Sequence, residues 1–189
     1  MHDSTLDLLT LFFFGSEFAL ALFRRSRYSD GAKAGDRGSI WLLWIVIMLA
    51  ITLAVSFSGY GPGRFPFPRS VVRGTALAFL VGGLALRWWA VFTLGRFFTV
   101  DVATHEDHAL VDTGPFRFVR HPSYTGSLLA FFGFGLSLSS ALSQIVLMVP
   151  IVAVFWYRML VEEAALRQAL GAAYVDYCAR TKRLIPGVV

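Results

Sequence analysis

Side chains that could bind or transform a ligand are concentrated in two short polar segments between long apolar runs. The first segment, residues 110–126, is punctuated by Pro and Gly and contains Arg120-His121-Pro122. Proline lacks a backbone N–H and its φ is already helical, so Pro122 fits the first turn of a helix. Arg120 and His121 are therefore predicted to lie at a helix N-terminus.

Two cations at a helix N-terminus predict an anionic ligand. This end of a helix already carries a partial positive charge, so additional cations there are unfavourable unless an anion is bound. The alternatives are a cluster that holds lipid phosphate at the membrane surface and a cluster that is simply solvated. The residue pattern alone leaves these alternatives open.

The second segment contains two pairs of Arg and Glu with helical spacing. Arg158 and Glu162 are four residues apart, so they share one helix face where an apolar run ends. A charged pair close to the apolar boundary is costly and is a functional candidate by default, so we expect a role for this pair. Glu163 and Arg167 have the order that favours an intrahelical salt bridge, and they could form that bridge alone.

For the other charged groups we expect structural or solvated environments. Arg87 lies near the inner end of an apolar run and is expected to extend along Trp88 and Trp89 to the headgroups. Glu17 lies within the first apolar run without an obvious partner, so it could face a helix interface or stay protonated. The His-Glu-Asp-His sequence at residues 105–108 lacks the spacing of a zinc-protease motif, and we expect a solvated loop and no metal site.

The apolar runs that flank these segments are long enough to cross a membrane. The chain is 56% hydrophobic and 15% charged, whereas about a quarter of residues are charged in soluble domains. Runs at residues 6–23, 40–57 and 74–94 each fit one crossing, and the run at 124–160 fits two with a break at 137–143. We predict an all-α integral membrane protein with about five transmembrane helices, the last two forming a helical hairpin.

The distribution of Lys and Arg predicts the orientation of the chain. Most of these residues fall in the first loop, the third loop and the tail, and only Arg64, Arg69 and Arg73 fall in the second loop. Because cytoplasmic loops are enriched in Lys and Arg, the N-terminus is predicted outside and the C-terminus inside. The tryptophans fall at the predicted cytoplasmic ends of helices, as expected of indoles. The compact loops suggest a bacterial inner membrane.

Composition also limits the domain organisation and the partners. We predict one membrane domain, 1–189, in which residues 1–73 form helices 1 and 2 with their loops and residues 74–189 form the functional core. The net charge of +5 forms no continuous patch, so we expect the lipid bilayer and not nucleic acid as partner. The single cysteine, Cys178, excludes an intrachain disulfide framework. No signal peptide is evident, so the first run should be a retained anchor.

The two polar segments, together with residues before and after them, carry a set of motifs that is specific in its combination. The motifs are Arg87-x-Trp89-Ala90, Leu110-Val111-x-x-Gly114-Pro115-Phe116-Arg117-x-x-Arg120-His121-Pro122-x-Tyr124-x-Gly126, Arg158-x-x-x-Glu162-Glu163-x-x-Leu166, Gly171-x-x-Tyr174-x-x-Tyr177 and Arg183-x-Ile185-Pro186. This combination resembles the isoprenylcysteine carboxyl methyltransferase family, a group of integral membrane methyltransferases related to phospholipid methyltransferases. The resemblance covers about residues 87–186.

The resemblance implies that S-adenosylmethionine binds on the cytoplasmic side, between the third loop and the C-terminal helical tail, with S-adenosylhomocysteine as product. The implied cofactor-binding residues are Leu110, Val111, Arg120, His121, Tyr124, Glu163, Tyr174 and Tyr177. A helix N-terminus with Arg120 and His121 suits the carboxylate of this cofactor, and Glu163 suits its amino group. The rings of Tyr174 or Tyr177 could lie against its positive charge.

The resemblance also assigns catalysis to Arg158 and Glu162, which would orient or deprotonate a methyl acceptor. In-line transfer from a sulfonium mainly requires alignment and desolvation. The acceptor, expected to enter from the membrane, could be an isoprenylcysteine-type carboxylate, a lipid amine or a thiol. Two other functions stay open: an NADPH-dependent membrane reductase of the sterol or steroid type, and a non-enzymatic membrane assembly factor. The Glu162-Glu163 pair favours the methyltransferase.

Overall fold

Helices dominate the computed structural model, which describes residues 4–23, 33–34, 37–58, 63–95, 103–104 and 110–188. The helices are α1 (Ser4–Phe23), α2 (Arg37–Ser58), α3 (Arg69–Leu94), α4 (Pro122–Ser137), α5 (Ala141–Leu170) and α6 (Ala172–Arg180). The other elements are a 3-10 helix (Gly114–Arg117) and two dipeptide strands, β1 (Lys33–Ala34) and β2 (Ala103–Thr104).

The long helices agree with the apolar runs of the sequence. Within the described ranges, three helices have the length and composition of a membrane span: α2, α3 and α5. Helix α4 has 16 residues and therefore extends only about 24 Å, which is shorter than the hydrocarbon core of about 30 Å. The all-helical membrane fold is confirmed, whereas the number of crossings stays a prediction.

Helices α4 and α5 form the expected hairpin, and serines make its turn. Helix α4 ends at Ser137 and α5 begins at Ala141, within the break that the sequence indicates. The side chain of Ser140 accepts a hydrogen bond from the backbone N–H of Ser143 at 3.3 Å and so caps α5. Ser139 adopts a positive φ of 55° in the turn. The two helices are thereby joined antiparallel by a short connection.

Glycines allow α3 and α4 to pack with their backbones close together. A Cβ added at Gly83 would lie 2.5 Å from the backbone nitrogen of Ala130, and one added at Gly126 would lie 2.5 Å from that of Arg87. Small residues at helix interfaces are the usual means of close approach in membranes. This contact holds the first turns of α4 against the last turns of α3.

The connections between helices lie at two opposite ends of the bundle. At one end, β1 pairs antiparallel with β2, and Val119 bridges to Lys182 of the tail. At the other end, Arg64 bridges to Ser140. The polar segment before α4 and the C-terminal tail therefore lie together, as the distribution of basic residues predicts. Which end faces the cytoplasm stays a prediction.

The expectation that Arg87 reaches the headgroups is wrong. Arg87 is only 7% exposed, and its guanidinium forms a two-pronged ion pair with the carboxylate of Glu17. Its Nη1 also donates to the Oγ of Ser123 at 2.6 Å. A buried charge is costly without a partner, and the partner is supplied by α1, about seventy positions earlier. This pair joins α1, α3 and the first turn of α4.

Candidate active site

The first turn of α4 forms one side of the candidate active site. His121 is the N-cap of α4 and Pro122 occupies its first turn, as predicted. The backbone N–H of Arg120 donates to the carbonyl of Lys182 at 2.7 Å, and that of His121 donates to the carbonyl of Arg183 at 3.0 Å. These two N–H groups are therefore satisfied by the tail and are not free to bind an anion.

The carboxylate of Glu163 is the centre of a cluster of basic side chains. Its Oε1 contacts the Nε of Arg120 at 3.1 Å, the Nε2 of His121 at 3.3 Å and the Nε of Arg183 at 3.0 Å. Its Oε2 contacts the guanidinium groups of Arg183 at 3.0 Å and of Arg167 at 3.1 Å. We call these five residues the Glu163 cluster.

The Glu163 cluster carries an excess of positive charge. Three arginines surround one carboxylate that is 0% exposed, and the histidine adds a further potential cation. A carboxylate has about four acceptor sites, so Glu163 is saturated by its protein partners. The arginines still have N–H groups to offer, because each guanidinium has five. The cluster can therefore attract a second carboxylate.

Arg183 is a member of this cluster that the sequence did not indicate as a site residue. Its guanidinium forms a bidentate pair with Glu163 and lies 5.0 Å from the ring centroid of Trp156. The hydrogen bonds that Arg183 donates to the Glu163 carboxylate raise the pKa of the Arg183 side chain. Its position in the Arg183-x-Ile185-Pro186 motif was the one feature of the sequence that could have indicated a role in the site. The predicted Glu163–Arg167 pair forms, but it is one contact among several.

Tyr124 connects the Glu163 cluster to the predicted catalytic pair. Its ring stacks on His121, with centroids 5.5 Å apart, and its hydroxyl donates to the Oε2 of Glu162 at 2.7 Å. Arg158 is buried one helical turn before Glu162 and interacts with the same hydroxyl. The structure therefore brings Arg158 and Glu162 beside Tyr124 and His121. The predicted catalytic pair and the Glu163 cluster therefore both contact the side chain of Tyr124.

Helix α6 brings Tyr174 and Tyr177 to this end of the bundle. The Tyr177 hydroxyl donates to the carbonyl of Phe116 at 2.6 Å, which fixes α6 on the 3-10 helix, and burial raises its pKa to about 12. Burial also raises the pKa of Tyr174. The Tyr174 hydroxyl is buried and has no hydrogen-bond partner among the described residues. A buried hydroxyl without a hydrogen-bond partner is energetically costly.

Arg120 joins α6 to the rest of the site. Its Nη1 donates to the carbonyl of Cys178 at 3.1 Å and also to that of Thr181, at the C-terminal end of α6. A cation at this end compensates the partial negative charge of the helix. Arg120 thus bridges Glu163 and α6, and its side chain is held in place from both directions.

Leu110 and Val111 precede the 3-10 helix in backbone without regular secondary structure, and both are partly buried. Asp112, the next residue, lies 3.6 Å from Arg180 of α6. The predicted adenine positions therefore lie beside the tail. The His-Glu-Asp-His sequence at residues 105–108 lies outside the described residues. In the described part of the chain, no group of three or more His, Cys, Asp or Glu could hold a metal ion.

Comparisons with known proteins match this arrangement to one family. The model of the isoprenylcysteine carboxyl methyltransferase family matches residues 76–168. Protein-S-isoprenylcysteine O-methyltransferase B of Arabidopsis thaliana is 29% identical over 96% of this chain and 91% of its own length. The protein-S-isoprenylcysteine O-methyltransferase of Schizosaccharomyces pombe is 31% identical over 94% of this chain and 80% of its own length.

A solved structure supports the fold. The eukaryotic intramembrane Ras methyltransferase ICMT superposes with a TM-score of 0.60 at 23% identity, over 81% of this chain and 54% of that one. This chain therefore corresponds to about half of that larger protein. The family match spans both polar segments, and the relatives match nearly the whole chain. The chain belongs to the isoprenylcysteine carboxyl methyltransferase family and is a membrane methyltransferase.

Proposed function

We propose that the protein transfers a methyl group from S-adenosylmethionine to the carboxylate of an isoprenylated cysteine. The names of the plant and yeast relatives give this reaction class. The observation that carries the proposal for this chain is the Glu163 cluster, whose excess positive charge suits a ligand carboxylate. Neither the reductase nor the assembly-factor alternative has comparable support. The proposed active site faces the cytoplasm of a bacterial inner membrane, with the N-terminus outside.

The residues of the Glu163 cluster fit the amino-acid part of this cofactor. Arg120 and His121 would hold its carboxylate by charge-assisted hydrogen bonds. Glu163 would accept a hydrogen bond from the amino group of the cofactor after it releases one of its present partners. Arg167 is the partner most readily exchanged, because its side chain is 46% exposed and loses little when it turns to solvent.

The tyrosines and the segment before the 3-10 helix would complete the cofactor site. The unpartnered hydroxyl of Tyr174 offers a hydrogen bond that a ribose or an adenine can satisfy. Leu110 and Val111 would contact the adenine through their backbone, and the ring of Tyr177 would lie beside it. We propose Tyr124 as the residue that places this site against the catalytic pair. Bound here, S-adenosylmethionine supplies an electrophilic methyl group on a sulfonium centre.

Arg158 and Glu162 would position the methyl acceptor. A carboxylate acceptor is already ionised near neutral pH, because its ordinary pKa is about 3.3–3.7. No general base is then needed, and Arg158 orients the acceptor as its cationic partner. Glu162 accepts from the Tyr124 hydroxyl, with which Arg158 also interacts, and would help to orient the arginine through that hydroxyl. Burial of Arg158 keeps water from the reacting carboxylate, and the prenyl chain remains in the bilayer.

Ligand-dependent thermal stability tests the cofactor assignment in purified protein in detergent. A ligand that binds only the folded state, and whose concentration is about 100 times its dissociation constant, stabilises that state by about 2.7 kcal/mol. For a chain of this size, that corresponds to a rise of about 5–10 °C in Tm. S-adenosylhomocysteine should give this rise, and NADPH should give none. A rise with NADPH alone would point to the reductase and refute the proposal.

A further inference from the structure

A polar cavity lies at the end of the bundle opposite the candidate active site. It has a volume of about 280 Å³, and three arginines line it: Arg64, Arg69 and Arg73. No carboxylate is among its described lining residues. It forms where residues 63–68, which precede α3, lie against the turn between α4 and α5. The methyltransferase reaction proposed above uses none of these residues.

The backbone around this cavity is held in a fixed conformation. The carbonyl of Gly63 accepts from the N–H of Ala141 at 2.7 Å, and the N–H of Phe65 donates to the carbonyl of Ser139 at 3.3 Å. Arg64, between these contacts, pairs with Ser140 in an isolated bridge. The backbone of Arg64 is thereby anchored on the α4–α5 turn, so the cavity is part of the folded bundle.

The arginines lie where positive charge is electrostatically unfavourable. Helix α3 begins at Arg69, with no acidic residue in its first turn and no side-chain cap. Arg73 follows one helical turn later on the same face. Cations at a helix N-terminus add to its partial positive charge unless an anion is present. Among the described residues, no ion pair involves Arg64 or Arg69.

The donors that this cavity offers are mainly guanidinium groups. The hydroxyls of Ser58 and Ser137, which also line it, donate to the main-chain carbonyls of Val55 and Phe134 at 2.6 Å each. A guanidinium has five N–H donors in a planar arrangement that matches two oxygens of one phosphate. The chemistry of the cavity is therefore that of a phosphate site.

The position of the cavity favours the phosphate of a lipid. Phe67 lines the cavity and is 62% exposed, and Val71 on the next turn of α3 is 54% exposed. Exposed apolar side chains beside cations, at the end of a helix long enough to span the membrane, are typical of the headgroup boundary. We propose that this cavity binds the phosphate of an anionic phospholipid, with Arg64 and Arg69 as its main ligands.

Lipid binding to the purified full chain tests this proposal. Binding of phosphatidylglycerol and phosphatidylcholine would be measured by native mass spectrometry of protein in detergent micelles. Phosphatidylglycerol should bind in preference, and Arg64→Gln with Arg69→Gln should weaken its binding about tenfold or more, since charge-assisted hydrogen bonds are lost. The matched control, Arg117→Gln with Arg180→Gln, removes the same charge at the other end and should leave this binding unchanged.

A further double variant distinguishes specific binding at this cavity from a general effect of charge or folding. Arg64→Lys with Arg69→Lys keeps the charge but loses bidentate geometry, and it should bind with intermediate affinity. Each variant's melting temperature without added lipid verifies folding. The proposal would be overturned if the control variant lost as much phosphatidylglycerol affinity as the Arg64→Gln, Arg69→Gln variant. It would also be overturned if the Arg64→Gln, Arg69→Gln variant bound this lipid as well as the unmodified protein does. If inorganic phosphate at millimolar concentration displaced the bound lipid, the preferred ligand would be a soluble phosphate. That result would overturn the lipid assignment.

Discussion

Glu163 organises the candidate active site because it is the shared partner of groups from two other parts of the chain. Arg120 and His121 reach it from the start of α4, and Arg183 reaches it from the tail. A buried carboxylate with several charge-assisted hydrogen bonds holds each partner in one orientation. The side chains proposed to bind the cofactor carboxylate are thus placed before any ligand arrives.

Substitutions at two positions should separate turnover from cofactor binding. Arg158→Ala removes the group proposed to orient the acceptor, so turnover should fall about 100-fold or more while the affinity for S-adenosylhomocysteine is kept. His121→Ala removes a ligand of the cofactor carboxylate, so that affinity should fall about tenfold or more. Calorimetric titration and single-turnover rates measure the two quantities. Reversed phenotypes would contradict these roles.

The contrast between His121 and Arg87 indicates which residues a sequence can assign. His121 and Pro122 have a local signature, because proline in the first turn locates a helix start. The partner of Arg87 depends on how α1 packs against α3, and no local pattern contains that information. Arg183 has the same limitation, since its contact with Glu163 forms only when the tail folds back.

At the scale of the elements, α3 and α4 form the platform on which the site is built. Their glycines allow backbone contact, and the Glu17–Arg87 pair fastens α1 to both helices. The apolar runs predicted the long helices, and the serines predicted the α4–α5 turn. The distribution of basic residues placed the tail at the same end as the segment before α4, but the β1–β2 pairing and the Val119–Lys182 bridge were not predictable, because each joins segments that are distant in sequence.

Two neighbouring glycines of α3 provide a matched test of this platform. A Cβ at Gly83 would lie 2.5 Å from the backbone of α4, whereas a Cβ at Gly82 would meet no atom within 4 Å. Gly83→Ala should therefore destabilise the fold by about 1–3 kcal/mol. Gly82→Ala should be neutral or stabilising by up to about 1 kcal/mol. Denaturant unfolding in detergent measures both, and equal effects would contradict the packing.

The Glu17–Arg87 pair can be tested by a double-mutant cycle. Arg87→Met leaves a buried carboxylate without its partner, so it should destabilise the fold by about 3–5 kcal/mol. Adding Glu17→Gln removes that uncompensated charge and should recover much of the loss. The free energy of unfolding of the four proteins gives the coupling. Strict additivity would show that the two side chains do not interact.

For the whole molecule, the candidate active site forms only when the segment before α4 and the tail meet at one end of the bundle. The Tyr177–Phe116 hydrogen bond alone joins residues that are 61 positions apart. The opposite end carries the arginine cavity, so the two polar sites are separated by the apolar helices. Family membership agrees with a membrane methyltransferase.

Direct methyl transfer tests the central claim. Purified protein in lipid nanodiscs would be given methyl-labelled S-adenosylmethionine and an N-acylated S-farnesylcysteine, with the corresponding carboxamide as control. Label should enter the free acid as a base-labile methyl ester, and the carboxamide should receive none. A folded protein that binds S-adenosylhomocysteine but leaves the acid unlabelled, or that labels acid and carboxamide equally, would contradict carboxylate methylation.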